Sequence, residues 1–131
     1  MRGDDISERL IEFAVRVLRV VDSLPKSVVG RHVGLQLARS ATFAGANYEE
    51  GRGAESLADF IHKVGVAWKE ARESLFWLKL IQRSSLIKPK RLEPLLTENN
   101  ELCAILAASI ATSKKRLRQK SLPTKTSETE P

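Results

Sequence analysis

The sequence predicts an all-α protein that folds as an up-down-up-down antiparallel four-helix bundle. Apolar residues recur at intervals of three and four along four long segments, which is the spacing of an amphipathic helix. Short breaks rich in glycine, proline and serine separate these segments. We find no competing segment with the alternating pattern of a half-buried strand. Four amphipathic helices joined by short turns can bury their apolar stripes against one another in a bundle.

The first two helices are predicted over residues 7–23 and 30–50. The turn between them contains Pro25, which cannot donate a backbone hydrogen bond and ends the first helix. Gly45 lies inside the second helix, where glycine costs about 1 kcal/mol relative to alanine, so we expect a neighbouring helix to pack closely there. The apolar stripes are Ile6, Leu10, Phe13, Val17, Val20 and Leu24 in the first helix, and Val33, Leu37, Ala41, Ala44 and Tyr48 in the second.

The third helix is predicted over residues 56–84. A glycine-rich break at 51–55 ends the second helix, and Ser56 followed three residues later by Asp59 resembles a capping box. The third helix is the longest and most regular of the four. Its apolar stripe consists of Leu57, Phe60, Ile61, Val64, Ala67, Trp68, Ala71, Leu75 and Leu78.

The fourth helix is predicted over residues 90–118. Pro89 suits a first helical turn, whereas Pro94 would remove a hydrogen bond from the interior, so we expect the helix to start nearer Arg91. Its stripe consists of Leu92, Leu95 or Leu96, Leu102, Ile105, Leu106, Ser109 and Ile110.

Length and composition favour a single domain. The chain has 131 residues, of which 42% are apolar and 29% charged, ordinary values for a globular protein. Residues 1–119 are predicted to form the bundle. Residues 120–131 are rich in Pro, Ser, Thr, Lys and Glu without an apolar period, so they are predicted to be a disordered tail.

Three further features point to the cytoplasm. The longest apolar run, residues 102–108, is far shorter than the roughly 20 residues that span a bilayer. The N-terminal stretch lacks the apolar block of a signal peptide. The single cysteine, Cys103, cannot form an internal disulfide and lies in an apolar run, so we expect it in the core.

Polar and aromatic residues of the second and third helices predict a second face, distinct from the core stripe. If the two helices form a hairpin, Arg39 lies opposite residues 67–70, and we expect an ion pair with Glu70. Such a face is either a solvated surface with weak ion pairs or an interface for self-association. We favour self-association, because aromatic residues and arginine are enriched at the centres of interfaces. The predicted contact face consists of Gln36, Arg39, Phe43, Asn47, Glu50, Glu70, Glu73 and Trp77.

The sequence predicts no catalytic residue, metal site or cofactor. Glu70 and Glu73 could share a metal, but the Glu-x-x-His pattern of carboxylate bundles is missing. The two histidines, His32 and His62, lie on different predicted helices, with no ligand partner at a suitable spacing. The Gly51-Arg52-Gly53 break has neither the length nor the Lys-Ser/Thr ending of a phosphate-binding loop.

A nucleic-acid partner is the alternative function, supported by the basic end of the fourth helix. The net charge of the chain is +6. Basic residues at a helix end can bind phosphate groups, but they also interact favourably with the helix dipole when they are merely solvated. The candidate contacts are Lys114, Lys115, Arg116, Arg118 and Lys120.

The hairpin resembles a bacterial four-helix-bundle family, named for proteins encoded in intervening sequences of large-subunit ribosomal RNA genes. The motifs that carry this resemblance are Gln36-x-x-Arg39-Ser40-Ala41-Thr42, Ala46-Asn47-x-x-Glu50-Gly51-Arg52, Ser56-x-x-Asp59-Phe60 and Lys69-Glu70-x-x-Glu73-Ser74-x-x-Trp77-Leu78. The usual Ala-Asn-Ile-Ala-Glu-Gly run of the family appears here with Tyr48 and Glu49 at its third and fourth positions.

The resemblance implies a ring-like homopentamer of four-helix bundles with no established catalytic activity. A related branch, the accessory variability proteins of diversity-generating retroelements, shares this assembly and binds nucleic acid and a reverse transcriptase through basic surface. The implied partners are therefore further copies of this chain, with RNA or DNA and a reverse transcriptase as alternatives. The motif positions Arg39, Asn47, Glu50, Glu70 and Glu73 are expected to be structural.

Overall fold

The computed structural model describes residues 2–122, and it confirms the all-α four-helix bundle. The four helices are α1 (Gly3–Asp22), α2 (Val28–Arg52), α3 (Leu57–Arg83) and α4 (Pro89–Ser121), and no strand occurs within the described residues. Each helix packs antiparallel against the one before it, and α4 returns to pack against α1. The α1–α4 contact is the least extensive of the four.

Local hydrogen bonds explain where the helices begin. The Ser27 hydroxyl accepts from the Gly30 amide at the start of α2, and the Ser56 hydroxyl accepts from the Asp59 amide at 3.0 Å, as expected for the N-cap of α3. Helix α1 starts four residues earlier than predicted. The Arg2 carbonyl accepts from the amides of the first turn, and the acidic residues of that turn suit the helix dipole.

The fourth helix corrects two expectations. It begins at Pro89, so the predicted shift of its start toward Arg91 is wrong, and Pro94 lies inside it. Because proline has no N–H, one backbone carbonyl in the preceding turn has no amide donor. Pro94 is exposed, so water can hydrogen-bond to that carbonyl instead. Helix α4 also continues to Ser121, past the predicted end at 118, so that α4, with 33 residues, and not α3, with 27, is the longest helix. Residues 123–131 of the predicted tail lie outside the described residues.

One core runs through the bundle between the four apolar stripes. All five stripe residues predicted for α2 are buried, and Cys103 is buried as expected. Other residues of the predicted stripes are only half-buried, which corrects their assignment to the core: Leu57, Phe60, Ile61 and Trp68 on α3, Val20 on α1, and Ile105, Ser109 and Ile110 on α4. The remaining buried stripe residues are Ile6, Leu10, Phe13, Val17, Leu24, Val64, Ala67, Ala71, Leu75, Leu78, Leu92, Leu95, Leu102 and Leu106.

Gly45 lies where α1 and α2 approach each other closely, which confirms the close packing predicted there. A Cβ atom at this position would lie 3.6 Å from the Cβ of Leu10.

An ion pair joins α1 to α4. The Arg9 Nε atom donates a hydrogen bond to the Glu98 carboxylate on α4 at 3.0 Å. Because Arg9 is hydrogen-bonded to it, the pKa of the Glu98 carboxyl is lowered.

Within residues 2–122, the structure contains no helix that is long and apolar enough to cross a membrane.

Candidate interaction surfaces

The α2–α3 hairpin brings the charged residues of the predicted contact face together. Because the helices are antiparallel, the Arg39 Nη2 atom donates to the Glu73 carboxylate at 2.9 Å. The Arg39 Nη1 atom lies 3.9 Å from Glu70 Oε2, close enough for an ion pair but beyond a hydrogen bond. The principal partner of Arg39 is therefore Glu73, one helical turn beyond the predicted Glu70.

Trp77 belongs to the same network. Its indole N–H donates to the Glu73 carboxylate at 3.1 Å. The indole ring lies edge-on to His32 of α2, with ring centroids 5.9 Å apart, and to Phe76, at 4.9 Å. Glu73 thus accepts one hydrogen bond from α2 and one from its own helix α3, and these bonds fix the side chains of Arg39 and Trp77.

Two large aromatic side chains stand out from this network into solvent. Phe43 is 47% exposed, and the Arg39 guanidinium lies 5.9 Å from its ring centroid. Phe76 is 57% exposed and does not belong to the predicted contact face. Its position three residues after Glu73 on α3 is the signal in the sequence that could have found it. The name hairpin face is used below for the eight predicted residues together with Phe76.

The other members of the hairpin face have partners within the chain. The Asn47 amide donates to the Phe43 carbonyl one turn earlier, at 2.9 Å. The side-chain oxygen of Gln36, Oε1, lies 3.5 Å from Arg39 Nη2. Glu50 accepts from Lys63 of α3 at 3.0 Å, and this hydrogen bond raises the pKa of Lys63. Of these contacts, only the Glu50–Lys63 hydrogen bond joins α2 to α3.

The centre of the hairpin face carries an excess of negative charge. Two carboxylates, Glu70 and Glu73, share the single guanidinium of Arg39. Partial burial raises the pKa of Glu70, the nearby Glu73 raises it further, and Arg39 only partly opposes them. A second cation placed beside Glu70 would therefore be favourable.

The basic end of α4 has a different character. All five predicted contacts, Lys114, Lys115, Arg116, Arg118 and Lys120, are exposed. Helix α4 has no acidic residue after Glu101, so this positive charge is not balanced on its own helix. The name basic end is used below for these five residues.

A neighbouring arginine is already neutralised. Arg52 lines a groove of about 680 Å³ between the start of α1 and the end of α4, and Arg116 lines the same groove. Arg52 donates to Ser7 and to Glu49, each at 3.0 Å, and also pairs with Asp4. The Ser7 hydroxyl and Arg52 both donate to Glu49 and lower the pKa of its carboxyl.

Comparisons with known proteins agree with this architecture. A search against protein-family models matched the family described as 23S rRNA-intervening sequence protein over residues 4–108, most of the chain. The chain belongs to the 23S rRNA-intervening sequence protein family. This membership confirms the resemblance drawn from the hairpin motifs.

A solved structure supports the same assignment. A 1.70 Å crystal structure of a protein of unknown function, from the S23 ribosomal protein family of Bacteroides thetaiotaomicron, is 32% identical to this chain, with a TM-score of 0.72. The match covers 80% of this chain and 97% of that one. No match was found among curated proteins.

The family match covers one of the two candidate surfaces and not the other. Every residue of the hairpin face lies within 4–108, whereas the basic end begins after residue 108. The family positions where this chain differs are accommodated locally. Tyr48 is buried in the core, and Glu49 forms the contacts with Ser7 and Arg52 described above.

The structure assembles no metal centre from the described residues, in which no group of three or more His, Cys, Asp or Glu residues could hold an ion. His32 and His62 are exposed on different helices. Cys103 is buried, and burial raises the pKa of its thiol, which disfavours the reactive thiolate.

Proposed function

We propose that this member of the 23S rRNA-intervening sequence protein family is a non-enzymatic, self-associating scaffold in the cytoplasm. It assembles as a homopentamer through the hairpin face. The observation that carries the proposal is the exposure of Phe43 and Phe76 beside the Arg39–Glu73 pair.

The composition of the hairpin face suits an interface centre. Aromatic residues and arginine dominate the binding energy of protein interfaces, because they combine large apolar area with fixed polar groups. Covering one large apolar side chain contributes about 1.5–3 kcal/mol. Glu73 already fixes Arg39 and Trp77, so less side-chain freedom is lost when a partner binds.

The polar groups of the hairpin face suit a structural role better than a catalytic one. Glu73 accepts from Arg39 and Trp77, Glu50 accepts from Lys63, and the Asn47 amide donates to its own helix. A catalytic carboxylate needs access to a substrate proton, whereas these groups face one another.

Light scattering coupled to size exclusion tests the proposal. At tens of micromolar, the full chain is expected to give a mass of five times 14.6 kDa. The double variant Phe43→Glu/Phe76→Glu is expected to be monomeric. Ile11→Glu is the matched control, because Ile11 is 52% exposed on α1, away from the hairpin face. A monomeric wild-type chain contradicts the proposal.

A second candidate function, binding of RNA or DNA, is favoured by the unbalanced charge of the basic end. Neutralising phosphates releases counterions, so the affinity is expected to fall steeply as the salt concentration rises. Truncation after Ser113 is expected to reduce the affinity for a random-sequence RNA. Unchanged binding by the truncated chain excludes the basic end as the contact.

A reverse transcriptase partner rests on the resemblance to the retroelement branch. A reverse-transcriptase gene adjacent to the gene for this chain would support it. Location within a ribosomal RNA gene would instead favour the scaffold without this partner.

A further inference from the structure

Gly65 occupies a position for which the described chain supplies no reason. It lies in the interior of α3, where glycine weakens a helix relative to alanine. Other helical glycines meet a close neighbour: a Cβ at Gly34 would lie 3.2 Å from Leu24, and one at Gly51 would lie 3.2 Å from Lys63. A Cβ at Gly65 would meet nothing within 4 Å in the described chain.

The open space at Gly65 belongs to a groove of about 330 Å³ between α3 and α4. Apolar side chains form most of its lining, and one of the residues on the α4 side, Ala107, is small. Lys69 and Lys114 also line it. The name α3–α4 groove is used for the seven lining residues, which are Ile61, Gly65, Trp68, Lys69, Ala107, Ile110 and Lys114.

The charges of the α3–α4 groove complement those of the hairpin face. In the part of the chain from 2 to 122, neither Lys69 nor Lys114 has a carboxylate within 4 Å. Glu70 and Glu73 share only one arginine. The groove therefore supplies the type of charge that the hairpin face lacks.

We propose that the hairpin face of one copy docks into the α3–α4 groove of the next copy. The ring of Phe43 lies over Gly65, and the lysines of the groove face Glu70 and Glu73. This inference rests on the proposed function, because it assigns both partners of the self-association.

The contact is head to tail, since the two surfaces are different. Each copy offers its hairpin face to one neighbour and its α3–α4 groove to another. The two surfaces lie on adjacent sides of the bundle and share α3, so successive copies turn about an axis instead of stacking in a straight line. Head-to-tail contacts of this kind close into rings when the rotation permits.

Filling the groove tests the proposal directly. Gly65→Leu is expected to abolish the oligomer in light scattering, while circular dichroism shows an unchanged helix content, because leucine favours the helix and its Cβ meets no neighbour. Leu35→Ala is the matched control, since Leu35 is exposed on α2 and lies outside both surfaces. A Gly65→Leu chain that assembles like the wild type overturns the inference and leaves the proposed function standing.

Disulfide trapping identifies which surfaces meet. In a Cys103→Ala background, one chain carries Ala46→Cys, one turn after Phe43, and another carries Ala107→Cys in the groove. Under mild oxidation, the mixture is expected to form a disulfide between the two different chains, and neither chain alone should do so.

Two outcomes of the trapping experiment overturn the docking. A disulfide in the Ala46→Cys chain alone means that two hairpin faces pair with each other. No disulfide in the mixture, with the oligomer intact, means that the hairpin face meets another surface. A monomeric wild-type chain, in contrast, overturns the proposed function itself.

Discussion

The hairpin face and the basic end show two ways in which a helical bundle presents charge. In the hairpin face, Glu73 accepts from both Arg39 and Trp77, so charged and aromatic groups are held in fixed positions over a buried core. In the basic end, five exposed cations follow one another on the last turns of a single helix. Fixed, mixed surfaces suit a partner of defined shape, whereas clustered cations suit a polyanion of any sequence.

The largest expected effect is on self-association, which we assign to the hairpin face and not to the basic end. Phe43→Glu/Phe76→Glu is expected to weaken self-association by about 100-fold or more, because it places charge where apolar area should be covered. Sedimentation equilibrium measures this change. The affinity of a single chain for RNA should not change. An equal loss in the Ile11→Glu control would move the interface to α1.

The second effect is on the free energy of unfolding, which should depend on residues beneath the hairpin face more than on residues near the basic end. Leu37 is fully buried beneath the hairpin face, and Leu37→Ala is expected to lower the free energy of unfolding by about 2–5 kcal/mol. Leu117 lies between Arg116 and Arg118 of the basic end and is 37% exposed, so Leu117→Ala should cost less than about 1 kcal/mol. Urea denaturation measures both, and similar losses would contradict the contrast.

The third effect concerns salt. Replacing Lys115, Arg116 and Arg118, which lie outside the α3–α4 groove, with glutamine should reduce the slope of log affinity against log salt, by about 0.9 for each phosphate of duplex DNA that the variant no longer neutralises. Fluorescence anisotropy with labelled DNA at several salt concentrations measures the slope. The mass of the oligomer should not change. A slope equal to the wild-type value would show that these cations do not bind phosphate.

The smallest effect concerns Glu70, whose pKa is raised by burial and by Glu73. A raised pKa means that the folded chain binds the proton more tightly, so stability falls as the pH rises from the ordinary glutamate value through the folded one. Glu70→Gln should therefore increase monomer stability at neutral pH by less than about 1 kcal/mol, while it weakens association. Urea denaturation at pH 4 and 7 checks the stability change. A loss of stability at pH 7 would contradict this account.

Local patterns in the sequence were sufficient for the fold. The spacing of Leu37, Ala41 and Ala44 predicted the buried side of α2, and Ser56 predicted the start of α3. The interior effect of Pro94 was overestimated, since a proline on an exposed side of a helix leaves its backbone accessible to water.

The details of the surface depend on tertiary packing, which local patterns do not contain. The sequence located Arg39 opposite α3, but only the register of the packed helices makes Glu73 its hydrogen-bond partner. Phe76 was missed because periodicity does not show which apolar residues lie at the edge of the core.

The core itself contains polar residues that the apolar stripes did not predict. The buried Ser40 and Ser74 hydroxyls are hydrogen-bonded to each other at 2.8 Å across the hairpin. The buried Asn99 amide donates to the Ala71 carbonyl at 3.1 Å, and its side-chain oxygen has no partner among the described residues. Buried polar pairs of this kind can be identified only once the position of the neighbouring helix is known.

The mass of the wild-type chain in solution tests the central claim most directly. Light scattering at tens of micromolar is expected to give five times the 14.6 kDa of one chain, and the mass should fall to that of one chain in the Phe43→Glu/Phe76→Glu variant. A wild-type protein that remains at 14.6 kDa at this concentration would contradict the account.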